Sequence, residues 1–594
     1  MDNSIERPVP GNTDGTWGSD VIADLLRNLD VPYVTLNPGA SFRGLHDSLV
    51  NRLGNRAPQM LLCLHEESAV AIAHGWAKVT EKPLISIVHS NVGLMHATMA
   101  VFNAWCDRAP LLLLGATGPV DAAKRRPWID WIHTAKDQAA LVRDYTKWDD
   151  QPGSVPAAIE GILRAWQITQ AAPRGPTYVV LDVALQEQKL DAPVALPDVT
   201  RYRAAAPQGP TPEVVDDIAK LLSGAQRPLI LMGRVSRSED DWAARVALAE
   251  RLGAVVLTDM KVAGAFPTEH PLYGAPSGTF PSPEMCGLLR QADVVLALDW
   301  VDLAGALKAA WGADAVGSEV IAVSLDQHLH NGWSMDHQGL APVDVPVSAS
   351  PDATVHALVR RLGPSGSAHA TWPGRPASAR PAAPHFPHNS LSVPAVAQIL
   401  AKAVAGRTTC LIRHPLSWAG HLWTIAHPLD FLGTDGGGGI GSGPGTAIGA
   451  ALALRGGDRL PIAILGDGDF LMGVTAIWTA VHYRIPLLII IANNRSYYND
   501  EIHQERVARM RERPVENKWI GQHMGDPDID LAMLARGQGA TAFGPVRTYV
   551  EFEKSLADAI AAVDRGEVAV IDARVDPGYD PGMSSALTTQ PDRN

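Results

Sequence analysis

The feature that most constrains this chain is a repeated alternation of short apolar runs, each followed by a turn and then a segment of helical length. The runs VPYVTLN, LLCL, PLISIVHS, PLLLLGA and TYVVLDV fall between residues 31 and 183. PLILMG, AVVLT, DVVLALD and EVIAVSLD follow between 228 and 326, and TTCLIR, PIAILGDGD, PLLIIIANN and VAVIDARV between 408 and 575. Unbroken Val/Ile/Leu runs suit strands covered on both faces, and interleaved helices make the sheets parallel. At 594 residues the chain is too long for one core. The expectation is an α/β protein of three doubly wound parallel-sheet domains. Their predicted bounds are 1–190, 191–362 and 390–594, with a Pro/Ala/Gly/Ser/His-rich linker at 363–389.

Several classes of function are set aside by composition. A net charge of −13 argues against nucleic acid as the partner, because phosphate binding needs a basic face. Cys63, Cys106, Cys286 and Cys410 are scattered without a C-x-x-C pair, which fits a reducing compartment. The polar start MDNSIERPVPGN lacks the pattern of a signal peptide, and no apolar run reaches the ~20 residues a membrane helix needs. A cytoplasmic protein without a membrane partner is expected.

The chemistry concentrates in GDGDFLMGVTAIWTAVHYRIPLLIIIANN, residues 466–494. One strand ends at Gly466-Asp467-Gly468, and a helix and a second buried strand lead to Asn493-Asn494. Open parallel sheets bind ligands at such carboxyl ends of strands. Gly466 and Gly468 let backbone approach a phosphate, and the new helix start offers free N–H groups. The carboxylate of Asp467 and the amide oxygen of Asn494 are hard ligands of the kind Mg²⁺ takes.

This arrangement resembles the diphosphate-binding motif of thiamine-diphosphate enzymes, the group that includes acetohydroxyacid synthase, benzoylformate decarboxylase, pyruvate decarboxylase and benzaldehyde lyase. The resemblance covers most of the chain, in the order pyrimidine-binding, central and diphosphate-binding domains. It implies thiamine diphosphate and Mg²⁺, the metal held by Asp467, Asn494 and the backbone carbonyl of Ser496. Asp469 stands where many members carry Ser beside the phosphate. A carboxylate there repels a diphosphate, so Asp469 is expected to turn away or cap the helix. DGGGGIGSGPGTAIGAALAL resembles the segment whose bulky residue wedges the cofactor into its bent shape. Ile440 is then the wedge, Gly438 offers a carbonyl to the pyrimidine amino group, and Ser417 in RHPLSW falls at a phosphate-contacting position.

HEESAVAIAHGWAK carries the third match. Counting back nine residues from Gly75 gives Glu66 as the carboxyl that protonates the pyrimidine ring. The resemblance further places His89 of VHSNVG and His133 of HTAKDQ at substrate-facing positions, and Asp500 where pyruvate decarboxylase has a proton-handling Glu. NPGAS matches the decarboxylase except that Ala40 replaces its Ser, with Ser41 next. Trp300-Val301-Asp302 stands where acetohydroxyacid synthases have an FAD-contacting Arg-Phe-Asp, so FAD is not expected.

The function implied is non-oxidative cleavage or formation of a C–C bond, as a decarboxylase or carboligase acting on a 2-oxo acid or related carbonyl compound, in a homodimer or homotetramer. The alternatives are an acetohydroxyacid-synthase-like enzyme with FAD, and a lyase or hydrolase of a diketone or acyloin. A nucleotide-binding regulator fits the α/β pattern but leaves Glu66, Ile440 and Asn494 unexplained, and no G-x-G-x-x-G opens a helix after a strand with an acidic partner.

Overall fold

Parallel strands need crossover segments, and this chain supplies a helix between most successive strands. The computed structural model describes residues 5–9, 16–326, 339–363, 370–372, 390–434 and 436–578. Its first sheet holds β1 (Tyr33–Leu36), β2 (Gln59–Leu62), β3 (Ile85–Ile87), β4 (Leu111–Thr117), β5 (Asp149–Asp150) and β6 (Pro176–Asp182), in the order β2-β1-β3-β4-β6-β5. The second holds β7 (Pro228–Met232), β8 (Val255–Thr258), β9 (Val294–Leu298), β10 (Glu319–Ser324) and β11 (Val345–Ser348), in the order β11-β10-β9-β7-β8. The third holds β12 (Thr409–Arg413), β13 (Leu460–Gly466), β14 (Leu487–Asn493), β15 (Thr541–Val546) and β16 (Val568–Arg574), in the order β12-β13-β14-β16-β15. Every strand pairing is parallel.

Strands rich in Val, Ile and Leu occupy the sheet centres, and every residue of β4 and β14 is buried. The strands that composition hides lie at the edges. β5 is two aspartates, and β11 and β15 each contain a proline, which an edge tolerates because one side of its ladder is free. β2 begins two residues before the apolar run LLCL. Most of the expected linker lies outside the described residues. Thr371 and Trp372, which are described, dock on the second domain through Gln226 O (2.7 Å) and Pro228 O (3.0 Å). Among the described residues, no helix is long and apolar enough to cross a membrane.

The first and third domains share one continuous apolar core, running from Val21 to Val570. At its centre, helix Glu66–Thr80 lies against helix Gly443–Leu454, backbone to backbone. A Cβ on Gly449 would stand 1.9 Å from Ile72 O, and one on Gly75 would stand 2.0 Å from Thr446 O. Only glycine permits this approach. Gly449→Val should therefore destabilise the protein by about 1–3 kcal/mol or more, since neither backbone can retreat. Gly287→Ala, in helix Pro283–Gln291 with open space around it, should instead stabilise by up to about 1 kcal/mol. Urea-unfolding midpoints of the two variants test both signs, and equal midpoints would contradict the contact.

Candidate active site

The order of the first sheet reverses at β1, which has β2 on one side and β3 on the other. Register pairs Leu36 with both Leu62 and Ile87, so the carboxyl ends of these three strands are level. A parallel sheet opens a ligand crevice at such a reversal. The connections that leave β1, β2, β3 and β4 carry Ser41, Glu66, His89 and His133.

Glu66 is buried and opens its helix. His65 caps that helix, its Nδ1 accepting from Glu67 N (3.1 Å), and stacks on His96 with ring centroids 5.3 Å apart. His96 Nδ1 lies 3.0 Å from Glu66 Oε2. His89 Nδ1 lies 2.7 Å from the buried Ser41 hydroxyl, and the His89 and His133 rings are 4.7 Å apart. A Cβ on Gly39 would stand 2.3 Å from His89 Cβ, so glycine lets the imidazole cross the turn after β1. His133 Nδ1 lies 3.0 Å from Ile129 O; a carbonyl only accepts, so Nδ1 bears the proton and Nε2 the free lone pair. Burial, and then the neighbouring His133, pull the His89 imidazole below its ordinary range, with Glu66 opposing.

The third sheet builds the other half. Gly466 pairs with Ala492, which brings the end of β13 beside the end of β14. Asp467, Asn494, Ser496, Gly466, Gly468, Asp469, Gly438, Ile440, Ser417 and Asp500 all line one cavity of about 390 Å³ there. That is the size of a small-ligand site. Asp467 Oδ1 accepts from Gly468 N (2.8 Å), while its buried Oδ2 has no hydrogen-bond partner among the described residues. Burial pushes this carboxyl up to about 6, opposed by the Gly468 hydrogen bond and by the nearby backbone N–H groups of Arg495 and Ser496, which donate to Asn493 and Asn494. Asn494 Oδ1 accepts from Ser496 N (2.9 Å). A buried, unpaired carboxylate oxygen beside an amide oxygen fits a hard divalent cation, which restores the charge that desolvation opposes. Asp500 is exposed, in the first turn of helix Tyr498–Met510.

Asp469 lines the same cavity, and its carboxylate bonds to the start of another helix rather than to its own. Its Oδ1 accepts from Gly441 N (2.7 Å) and Gly443 N (3.1 Å), where helix Gly443–Leu454 begins, and its Oδ2 accepts from Arg413 Nε (2.8 Å). Its charge is thus neutralised before it can repel an anion. The glycine loop carrying Ile440 is also gripped from the first domain. Asp107 accepts from Gly436 N (2.7 Å), Lys78 donates to Thr434 O (2.8 Å), and Ser442 Oγ donates to Glu67 (2.8 Å). Gly438 (φ 65°) and Gly441 (φ 108°) supply left-handed backbone on either side of Ile440.

Sequence reasoning assigned no role to Ser41, Glu67, Gly93, His96 or Arg413. His89, Gly93 and His96 follow an i, i+4, i+7 spacing along helix Ser90–Cys106 and its cap, and that spacing places them on one face. None of Glu66, His89 and His133 lines the Asp467 cavity within one chain. A further cavity, at the order reversal of the second sheet, is lined by Arg108, Arg234 and Asp299. Its charges are largely matched within the chain: Arg108 pairs with Asp326 at 2.9 Å and Arg234 with Asp326 at 3.3 Å.

Three family models match the chain. They are the N-terminal TPP binding domain of thiamine pyrophosphate enzymes over residues 16–141, the central domain over 215–328 and the C-terminal TPP binding domain over 414–573. Benzoylformate decarboxylase of Pseudomonas aeruginosa is 24% identical over 521 residues, covering 84% of this chain and 89% of the relative. Acetolactate synthase 3 of Brassica napus is 23% identical over 525 residues, covering 86% and 76%. The solved thiamine diphosphate-dependent 4-hydroxybenzoylformate decarboxylase of Rhodococcus jostii RHA1 has a similar fold, with a TM-score of 0.74 at 22% identity, covering 95% of this chain and 100% of that one.

Asp469→Ala removes the acceptor of a buried guanidinium and of two backbone N–H groups at once. It should cost about 3 kcal/mol or more, with Asp469→Asn recovering part of the loss through its amide oxygen. Thermal unfolding of the ligand-free protein measures both, and wild-type stability in the alanine variant would show that the strap carries no load.

Proposed function

The chain belongs to the thiamine pyrophosphate enzymes, and from that premise we propose that it breaks or forms a C–C bond next to a carbonyl without net redox, as a 2-oxo acid decarboxylase or carboligase. The observation that carries this reading is the buried, partnerless Asp467 Oδ2 in the cavity that Asn494 and Ile440 also line. When bound, thiamine diphosphate supplies a carbon nucleophile and an electron sink for the substrate carbonyl.

The residues of the chain divide the remaining work. Asp467, Asn494 and the Ser496 carbonyl would hold Mg²⁺, which would supply positive charge opposite a diphosphate. Gly466 and Gly468 bring backbone to the phosphates, with Ser417 at the same wall and Asp469 fixing the loop from behind. Ile440 supports the bend between the rings, and the Gly438 carbonyl accepts from the pyrimidine amino group. Glu66 holds a proton at the pyrimidine ring nitrogen. His89 and His133 handle protons at the substrate oxygen and carboxylate, and Asp500 does so from the rim. FAD has no part in this reading.

Because Glu66 and Asp467 do not share a cavity within one chain, the complete site joins the first domain of one copy to the third domain of another, in a homodimer or homotetramer. Exposed Leu64, Val92 and Met95 near Glu66, and exposed Leu416 and Met472 near Asp467, give apolar surface for that contact.

Two outcomes test the scheme. Asp467→Ala should abolish metal-dependent binding of thiamine diphosphate in calorimetry, and mixing Asp467→Ala with Glu66→Gln chains under exchange should restore turnover in hybrid oligomers; a fully active monomer would exclude the two-chain site. His89→Ala should lower turnover about 10²–10⁴-fold, the usual range for a general acid–base group. The lowered affinity of His89 for protons keeps it a neutral base to pH values below the ordinary His value of about 6.5. Removing the repulsion in His133→Ala should move the acid limb of kcat/KM to higher pH, and removing the Glu66 charge should move it lower. Profiles unchanged in both variants would place the acid limb on another group.

A further inference from the structure

We infer that His96 is a positioning residue for Glu66, clamping one carboxylate oxygen, and that the bare backbone of Gly93 leaves the other oxygen open to a ring nitrogen. The inference rests on the Glu66 role in the proposed function.

The two oxygens of Glu66 have different surroundings. Oε2 lies 3.0 Å from His96 Nδ1. Oε1 has no hydrogen-bond partner among the described residues. A Cβ on Gly93 would stand 3.3 Å from Oε1, so any side chain there would begin to cover it. The last torsion of a glutamate is broad and roughly two-fold, and without a clamp the oxygens exchange places. His96 breaks that symmetry. A carboxylate meant to meet one ring nitrogen needs this kind of preorganisation.

The contact also holds Oε2 on the side away from Gly93, so Oε1 is the oxygen left to face a ring nitrogen. His65, Glu67, His89 and His133 are the other titratable groups around Glu66. His65 stacks on His96 but points its Nδ1 at Glu67 N–H, and Glu67 is bound to Ser442. His89 and His133 pair with each other across the strand ends. The ligand atoms of His65, Glu66 and His96 lie within 4.8 Å of one another, a spacing a metal could also use. The capping hydrogen bond of His65 gives its free nitrogen the proton, which leaves a glutamate–histidine pair instead of a cation site.

The test uses the full-length enzyme with thiamine diphosphate and Mg²⁺, and reads exchange of the cofactor C2 proton for deuterium against pH, with cofactor affinity by calorimetry. His96→Leu should slow exchange about 10- to 100-fold, as loss of an outer partner does at other sites. His96→Asn, which can still donate, should recover most of the rate. Gly93→Ala should slow exchange while leaving His96 in place. Cofactor affinity should change by less than about ten-fold in all three, which separates positioning from a collapsed site. If Glu66→Gln exchanges as fast as the parent, the assignment of Glu66 itself fails. If Glu66→Gln is slow while His96→Leu keeps the parent rate across pH, His96 is a surface residue and this inference is overturned.

Discussion

Everything in the candidate site hangs from the contact between helices Glu66–Thr80 and Gly443–Leu454. They run parallel: Ser68 and Ala71 meet Gly445, Ile72 meets Gly449, and Gly75 meets Thr446 and Ala450. Their N-termini therefore lie at the same end, Glu66 opening one helix and the Ile440 loop leading into the other. Parallel dipoles repel, and two positive ends side by side would be unfavourable. Negative charge at that end offsets this: Glu67 accepts from Ser442 and Asp469 from Gly441 and Gly443. The glycines set the separation of the helices and the carboxylates make their common end tolerable.

Several buried or half-buried carboxylates elsewhere in the chain meet cations, although Asp572, held by Asn493, also keeps one unpartnered oxygen. Asp469 meets Arg413, Asp107 meets Lys78 and His74, Asp326 meets Arg108 and Arg234, and Asp352 meets Arg245. Burying a carboxylate without such a partner is costly. Asp467 differs from all of these. It has no cation beside it among the described residues, one of its oxygens has nothing to accept from, and burial raises its affinity for protons. It sits at the mouth of two adjacent strands. The cost makes sense as the counterpart of a cation, since a fold that neutralised Asp467 internally would have no reason to attract one.

The central strands and the residues at their ends were legible in the sequence because both follow from local pattern. A run such as PLLIIIANN is a buried strand in any context, and the turn after it sits at the ligand edge of a parallel sheet. Three of the edge strands were not legible: Asp149–Asp150 and the proline-bearing β11 and β15 pair because a neighbour is there, and nothing in their composition asks for it. The partners within the site were hidden for a related reason. Asp469 reaches back to Gly441 and Gly443, and Glu67 forward to Ser442, across distances in the chain that no periodicity spans. His96 was the exception, visible in principle as the third member of an i, i+4, i+7 face but overlooked beside the more obvious His89.

Asp469 illustrates how a local rule can fail for a global reason. Taken alone, a carboxylate at a phosphate site raises the electrostatic cost of binding. The same carboxylate supplies what a glycine-rich loop lacks, an acceptor that holds Gly441 and Gly443 in the one conformation that aims Ile440 at the cavity. A loop with left-handed glycines on both sides of its apex loses much conformational entropy on ordering, and serine, as one weak acceptor, could not satisfy two N–H groups and a guanidinium together. Arg413 then cancels the charge that made the residue seem out of place. Asp469 and Arg413 thus act as a pair, the carboxylate holding the loop and the arginine offsetting its charge.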